Sequence, residues 1–140
     1  MKKIILSVLS IVTLFLSSHA QCEKKIVFES SKTEFLDRNG EVMRGMDQYT
    51  VIHITGKAIT IEPSNDHVMN GDIKSDTCAW KVPYKEGKWT LNTIFNEKGQ
   101  DKKVTIVIEG KENRVSMTVT MDQEDQKIIR VWADKFEEVK

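Results

Sequence analysis

Residues 49–61 read YTVIHITGKAITI, with apolar and polar side chains alternating on both sides of a Gly-Lys pair. Alternation of this kind is typical of half-buried β-strands, and a glycine-bearing pair between two such runs predicts a tight hairpin turn. A two-residue turn sets Ile54 opposite Ile59. The next pair on the same face is Ile52 with Ile61. One face of the hairpin is then purely apolar, as an antiparallel pair that covers a core requires.

A second hairpin is predicted around residues 110–113, which read GKEN. A four-residue loop at this point pairs Ile108 with Val115 on an apolar face. The opposite face then pairs Glu109 with Arg114, which is a favourable cross-strand pair of opposite charges. A shift of one residue would mix the two faces, so the pattern favours this register.

The third predicted hairpin carries most of the aromatic side chains. A four-residue turn at residues 85–88, which read KEGK, sets Tyr84 opposite Trp89. The same register brings Trp80 and Phe95 onto that face, together with the second cysteine. The strand before the turn contains a proline, which cannot donate a ladder hydrogen bond, so we expect this strand at a sheet edge or at a bulge.

Further alternating runs and turn signals extend this pattern over the rest of the chain and predict about eight to ten short strands. A meander whose strands each have one apolar face must close into a barrel or fold over into two sheets. We therefore expect an all-β antiparallel meander forming a small barrel or half-open clamshell, lipocalin-like in general shape. A two-sheet β-sandwich is the alternative. The tail, residues 133–140, fits either a strand or a short helix.

The first twenty residues have the pattern of a secretory signal peptide. Two lysines follow the initial methionine, residues 4–16 are apolar apart from serine and threonine, and Ala20 is a small residue at the predicted cleavage point. The apolar run is shorter than the ~20 residues of a transmembrane helix. We expect residues 1–20 to be removed, leaving an exported single β domain, residues 21–140, in the periplasm or outside the cell, with no membrane span. An uncleaved anchor is the alternative.

Cys22 and Cys78 are the two cysteines of the sequence. An exported protein with an even number of cysteines is expected to pair them in a disulfide. For a loop of this length, chain entropy predicts a stabilisation of roughly 4 kcal/mol. Two free thiols are one alternative. A lipid anchor through Cys22 is another, although lipidation requires a small residue where this chain has Gln21.

The charges of the whole chain balance, with 21 basic and 21 acidic residues. Removal of the two leader lysines leaves 19 basic and 21 acidic residues, a formal charge of −2. This charge excludes the strongly basic profile of a nucleic-acid-binding protein.

The sequence offers few candidate catalytic residues, since His53 and His67 are the only histidines of the predicted mature chain. Neither a nucleophile elbow nor a clustered set of metal ligands is present in the sequence. We therefore expect no enzyme activity, no metal and no cofactor. A hydrolase that uses one of these histidines is the least favoured alternative.

Five aromatic residues form the one unusual constellation, and they are Trp80, Tyr84, Trp89, Phe95 and Trp132. Large aromatic side chains on the apolar side of a hairpin are typical of a core. In a barrel with an internal cavity, the same face would bind an apolar or ring-shaped ligand. An exposed platform that stacks on carbohydrate is a third interpretation.

Residues 49–61 and the closing run KIIRVW, residues 127–132, resemble segments of small exported, uncharacterised β-proteins of Gram-negative bacteria, of the domain-of-unknown-function type. The resemblance implies no known catalytic residues. The leading functional hypothesis is a non-enzymatic exported binding protein for an apolar or aromatic small ligand. A protein-interaction or inhibitor module of the cell envelope is the alternative, and the sequence leaves the oligomeric state open.

Overall fold

A computed structural model of the chain describes residue 22, residues 24–122 and residues 127–140. The predicted signal peptide, residues 1–20, lies outside the described residues. The described part of the chain forms nine β-strands, with no helix long and apolar enough to cross a membrane. The strands are β1 (Ile26–Leu36), β2 (Val42–Ile54), β3 (Ala58–Pro63), β4 (Met69–Val82), β5 (Glu86–Glu97), β6 (Gln100–Lys111), β7 (Arg114–Met121), β8 (Ile128–Trp132) and β9 (Lys135–Glu138).

Strand β1 closes the sheet into a barrel. Consecutive strands from β1 to β8 pair antiparallel, and β8 pairs back onto the C-terminal half of β1. The extra strand β9 pairs with the N-terminal half of the same edge of β1. These pairings confirm the predicted all-β meander and its barrel form, which is lipocalin-like in general shape. The chain does not form the alternative two-sheet sandwich.

The predicted hairpin of β2 and β3 is confirmed in its register. Ile54 pairs with Ile59, and Ile52 pairs with Ile61. Ile52, Ile54 and Ile59 are buried and Ile61 is half-buried, so the apolar face is the inner face of the barrel. The hydroxyl of Thr55 accepts hydrogen bonds from the backbone N–H groups two and three positions further on, at 3.3 and 3.0 Å. This side chain therefore supports the two-residue turn.

The predicted register of the β6–β7 hairpin is wrong by two residues. The chain turns over Glu112 and Asn113, whose φ angles are 53° and 61°. Ile108 consequently pairs with Met117 rather than with Val115. Positive φ at both central residues is the geometry of a type I′ turn, whose twist matches that of the flanking strands. Because the shift is of two residues, each side chain keeps its predicted face.

The predicted register of the β4–β5 hairpin is also wrong. Trp89 pairs with Cys78 rather than with Tyr84, which lies in the turn itself with a φ of 57°. Pro83 also lies in this turn rather than in a strand. Strands β4 and β5 can pair directly after the turn because Gly87 has a φ of 141°. A Cβ at this position would lie 2.3 Å from a backbone oxygen of β4. Glycine is therefore required at this point.

The C-terminal tail is a strand, and it covers one end of the barrel. Phe136 of β9 packs against the rings of Phe28, Trp80 and Tyr84, with centroid distances of 5.7, 5.8 and 5.4 Å. The ring of Tyr84 meets it edge-on, an arrangement that aromatic pairs favour. We call this end, built around Phe136, the closed end.

Cys22 and Cys78 form the predicted disulfide, with their Cα atoms 6.4 Å apart and a sequence separation of 56. Both residues contribute to the core at the closed end. The bond ties the segment before β1 to β4. Because the sulfur of Cys22 is bonded to that of Cys78, it is not available for a thioether bond to lipid.

We expect the double variant Cys22→Ser/Cys78→Ser to lose roughly 4 kcal/mol of the free energy of unfolding, because the unfolded chain is no longer constrained by the loop. Urea unfolding followed by tryptophan fluorescence measures the change. Wild-type protein unfolded in the presence of a thiol reductant is the control and should match the variant. A loss under about 1 kcal/mol would contradict this account of the bond.

Candidate ligand cavity

The barrel is filled at the closed end and hollow at the other, which we call the open end. At the closed end, Phe28, Trp80 and Trp89 are buried among the core side chains. At the open end, where β1 finishes and β6 begins, lies a cavity of about 830 Å³. The molecule therefore has the form of a cup whose base is packed.

The size of the inward side chains explains this division. The base holds tryptophan and phenylalanine rings from β1, β4, β5 and β9. The cavity is lined on β6, β7 and β8 by smaller aliphatic side chains, namely Val104, Val119, Met121, Ile129 and Val131. Barrels of eight strands are just wide enough for side chains to fill them or to hold one small ligand. Smaller inward side chains thus leave space at the open end.

Phe95 is the aromatic residue of β5 that lines the cavity, and it pairs with Gly71 of β4. A Cβ at Gly71 would lie 2.7 Å from the Phe95 ring. The glycine therefore lets the ring lie flat against β4. A larger residue at this position would force the ring to move.

The charged groups that line the cavity are Asp66, Glu97, Lys98 and Lys102, with Asp66 beside His67 and Glu97 close to both lysines. Asp66 accepts a hydrogen bond from the backbone N–H of His67 and contacts its ring nitrogen at 2.7 Å, and these two interactions lower the pKa of Asp66. A hydrogen bond from Lys102 likewise lowers the pKa of Glu97. The deeper wall is built from neutral side chains.

The structure does not bring the five predicted aromatic residues to one site. Phe95 lines the cavity, whereas Trp80 and Trp89 are buried at the closed end. Tyr84 packs at the same end and is half-buried. Trp132 lies on the outer side of the barrel.

Trp132 belongs to a charged cluster that joins β8 to β1. Its indole N–H donates to the carboxylate of Glu34 at 3.0 Å, and Arg130 donates to the same carboxylate at 2.7 Å. The guanidinium of Arg114 lies 3.8 Å from the centre of the indole ring, which is a cation–π contact. Burial raises the pKa of Glu34, but the bonds from Arg130 and Trp132 outweigh burial and lower it. This tryptophan stabilises barrel closure and does not face the cavity.

The sequence reasoning missed most of the cavity wall. The alternation in β6 and β7 identifies Val104 and Val119 as inward residues, but it does not distinguish a filled interior from a hollow one. The two threonines of the wall, Thr33 and Thr50, carried no signal because each lies in an ordinary strand pattern. The useful signal would have been the bulk of the inward residues, compared between the two ends of every strand.

The two histidines of the predicted mature chain lie apart. His53 is exposed on the outer face of β2, and His67 lies at the cavity rim. Over the described part of the chain, no three His, Cys, Asp or Glu side chains are grouped so that they could hold a metal ion. The arrangement at the open end can enclose a small molecule by non-covalent contacts.

A scan against protein-family models finds no match for this chain, and a search of the curated proteins finds none either. Function therefore has to be inferred from the geometry of the cavity.

We expect Gly71→Ala to displace the Phe95 ring into the cavity and to cost about 1–3 kcal/mol of the free energy of unfolding, as overpacking does. NMR should show altered ring-current shifts for the methyl groups of Val104 and Val119. The control is Gly56→Ala, since a Cβ at Gly56 meets nothing within 4 Å. Unchanged methyl shifts in Gly71→Ala would show that the ring does not respond to this position.

Proposed function

We propose that the protein is an exported, non-enzymatic binding protein that holds a small apolar ligand in the open end of its barrel. The observation that supports this proposal is the cavity of about 830 Å³ with its largely aliphatic wall. Ligand pockets in proteins typically have volumes of about 300–1,000 Å³ and predominantly apolar linings. Burial of the ligand's apolar surface in such a space provides the driving force for binding.

Two observations support the exported location. The disulfide of Cys22 and Cys78 fits an oxidising compartment, since such bonds are rare in the cytosol. The pattern of residues 1–20 predicts a secretory leader. A soluble carrier in such a compartment would shield an apolar molecule from water.

The cavity proposal predicts that the mature protein binds N-phenyl-1-naphthylamine, a neutral apolar dye that fluoresces on leaving water. Val119→Glu places a carboxylate in the aliphatic wall and should weaken dye binding at least about tenfold, because an apolar ligand cannot replace the water around the charge. Fluorescence titration measures the dissociation constant.

Thr105→Glu is the matched control, since it adds the same charge at an exposed position on β6. It should leave the dissociation constant unchanged, and near-UV circular dichroism should show that both variants are folded. Failure of the wild-type protein to bind the dye, or equal weakening by both variants, would overturn the proposal.

A second candidate function, self-association through a sheet edge, is favoured by one feature of β2. Strand β3 pairs only with residues 50–54 of β2, so residues 42–48 pair with β1 and, in the described structure, with no strand on their other side. Long unprotected edges can pair with a strand of another chain. Met43 is 70% exposed on this segment, and Met46 and Tyr49 are also exposed. The strand that the sequence predicts at an edge or a bulge, β4, also pairs in the described structure only with β5 over residues 74–82, and its register shifts between Trp80 and Val82.

The sequence of this edge is self-complementary. An antiparallel pairing of two copies with Met46 on the two-fold axis sets Met43 of each copy opposite Tyr49 of the other. The same register sets Gly45 opposite Asp47. The backbone oxygen of Tyr49 bonds Ser64, on the β3 side. Thr50 and Gln48 both line the cavity, so the alternation of β2 continues past the register shift with β1 and directs the N–H of Gly45 to the open side. The exposed apolar side chains would thereby be covered in a symmetric dimer.

We expect the mature protein to sediment as a dimer at tens of micromolar, and Gly45→Pro to sediment as a monomer. Proline removes a donor from the open edge without removing one that β1 uses. Gly45→Ala keeps the backbone N–H donor and should remain dimeric, because a Cβ at this position would make only ordinary van der Waals contacts. Analytical ultracentrifugation makes the measurement, and a monomeric wild-type protein would rule out this pairing.

A further inference from the structure

Two buried hydroxyls in the cavity wall have no hydrogen-bond partner among the described residues. Thr33 is 6% exposed and Thr50 is 5% exposed, and both line the cavity. Within the described residues, neither hydroxyl makes a hydrogen bond, and the one fully enclosed side-chain polar atom without a partner is Nε1 of Trp80. Both hydroxyls are therefore open to the cavity rather than sealed by neighbouring side chains.

Within the described residues, most of the other polar side chains around the cavity are engaged in hydrogen bonds, and Gln48 and the exposed Lys98 are the exceptions. The hydroxyl of Thr93, buried close by on β5, donates to the backbone oxygen of Val104 at 2.8 Å. Asn96 donates to Asp101 at 2.8 Å, and Lys102 pairs with Glu97. The unengaged hydroxyls are thus a specific feature of one wall, formed by β1 and β2.

This wall faces an otherwise aliphatic interior. Gln48 of β2 also lines it and is half-buried, so the polar groups extend along β2 toward the rim. A purely hydrocarbon ligand would remove water from both hydroxyls without replacing its hydrogen bonds. Leaving a buried polar group unpaired costs about five- to hundredfold in affinity. Such a ligand would therefore fit this cavity poorly.

The charges of the site indicate that the polar part of the ligand is neutral. The Asp66–His67 and Glu97–Lys102 pairs lie at the rim together with the exposed Lys98, which is close enough to Glu97 to help lower its pKa. No other charged side chain lines the cavity among the residues that the structure describes. A buried ionic group on the ligand would lose its hydration there without compensation.

We propose that the ligand is a neutral, mainly apolar molecule with a hydroxyl or carbonyl group that hydrogen-bonds Thr33 and Thr50. This inference rests on the proposed function, because it assigns the chemical class of the ligand in the same cavity. A threonine hydroxyl both donates and accepts, so it can serve either group. The two threonines then determine specificity, while the aliphatic wall provides most of the affinity.

The test compares 2-naphthol with naphthalene, which share one ring system and differ by a single hydroxyl. Each displaces N-phenyl-1-naphthylamine from the mature protein in a competition titration. We expect wild-type protein to prefer 2-naphthol, although it is the less hydrophobic of the two. In Thr33→Val/Thr50→Val, this preference should fall by about three- to tenfold, because the hydrogen bonds to the ligand are lost.

Two control variants separate hydrogen bonding from packing. Thr33→Ser/Thr50→Ser retains both hydroxyls and should keep the wild-type preference. Thr93→Val removes a buried hydroxyl that is engaged within the protein, so it should change stability but not the preference. If the dye binds and the preference is equal in wild-type protein and the valine variant, the inference is wrong and the cavity proposal stands. If the dye does not bind at all, the cavity proposal itself fails.

Discussion

The pairing of β1 along both of its edges is the constraint on which the rest of the structure depends. One edge pairs with β2 over its whole length, from Ile26 with Ile54 to Leu36 with Val42. The other edge is divided between β9 and β8. Without the β1–β8 ladder the meander would be an open sheet with two exposed edges. The Glu34–Arg130 ion pair lies on this ladder, where the two residues are directly opposite.

An irregularity in the β1–β2 pairing changes which side chains of β1 face the interior of the barrel. The register with β2 shifts between Ser30 and Lys32, and the hydroxyl of Ser30 donates to the backbone oxygen of Lys32 at 3.0 Å. Phe28 and Ser30 face inward before the shift, whereas Thr33 faces inward after it. Unbroken alternation would instead have turned Lys32 into the barrel. The shift therefore keeps charge out of the cavity and brings a threonine into its wall.

The closed end also offsets the cost of the hollow one. Unfilled space in a protein interior removes packing contacts and lowers stability. The ring cluster around Phe136 and the disulfide of Cys22 and Cys78 lie at the opposite end, where they strengthen the fold without occupying the cavity. Binding sites commonly sacrifice some stability in this way. The closed end stabilises the fold and the open end holds the cavity, and this difference follows from the positions of the large side chains.

The sequence allowed the barrel to be predicted because alternation and turn spacing are local signals. The β2–β3 register was predictable since a Gly-Lys turn and the inward isoleucines agree. The other two registers were not, because their turns rely on positive φ at non-glycine residues, Tyr84 and Glu112 among them. Strand pattern does not report such angles. The cavity was even harder to predict from the sequence, since it depends on the combined volume of side chains from all eight barrel strands.

The two proposed functions share one strand, and this has a thermodynamic consequence. Gln48 and Thr50 of β2 line the cavity, and the open edge of β2, residues 42–48, includes the first of them. A ligand that orders this part of β2 would favour pairing of the edge, and pairing would favour the ligand. Linkage requires the two effects to be equal in magnitude. The short β3, which ends opposite Thr50, is the common cause, because it exposes the edge and leaves that side of the cavity wall unpaired.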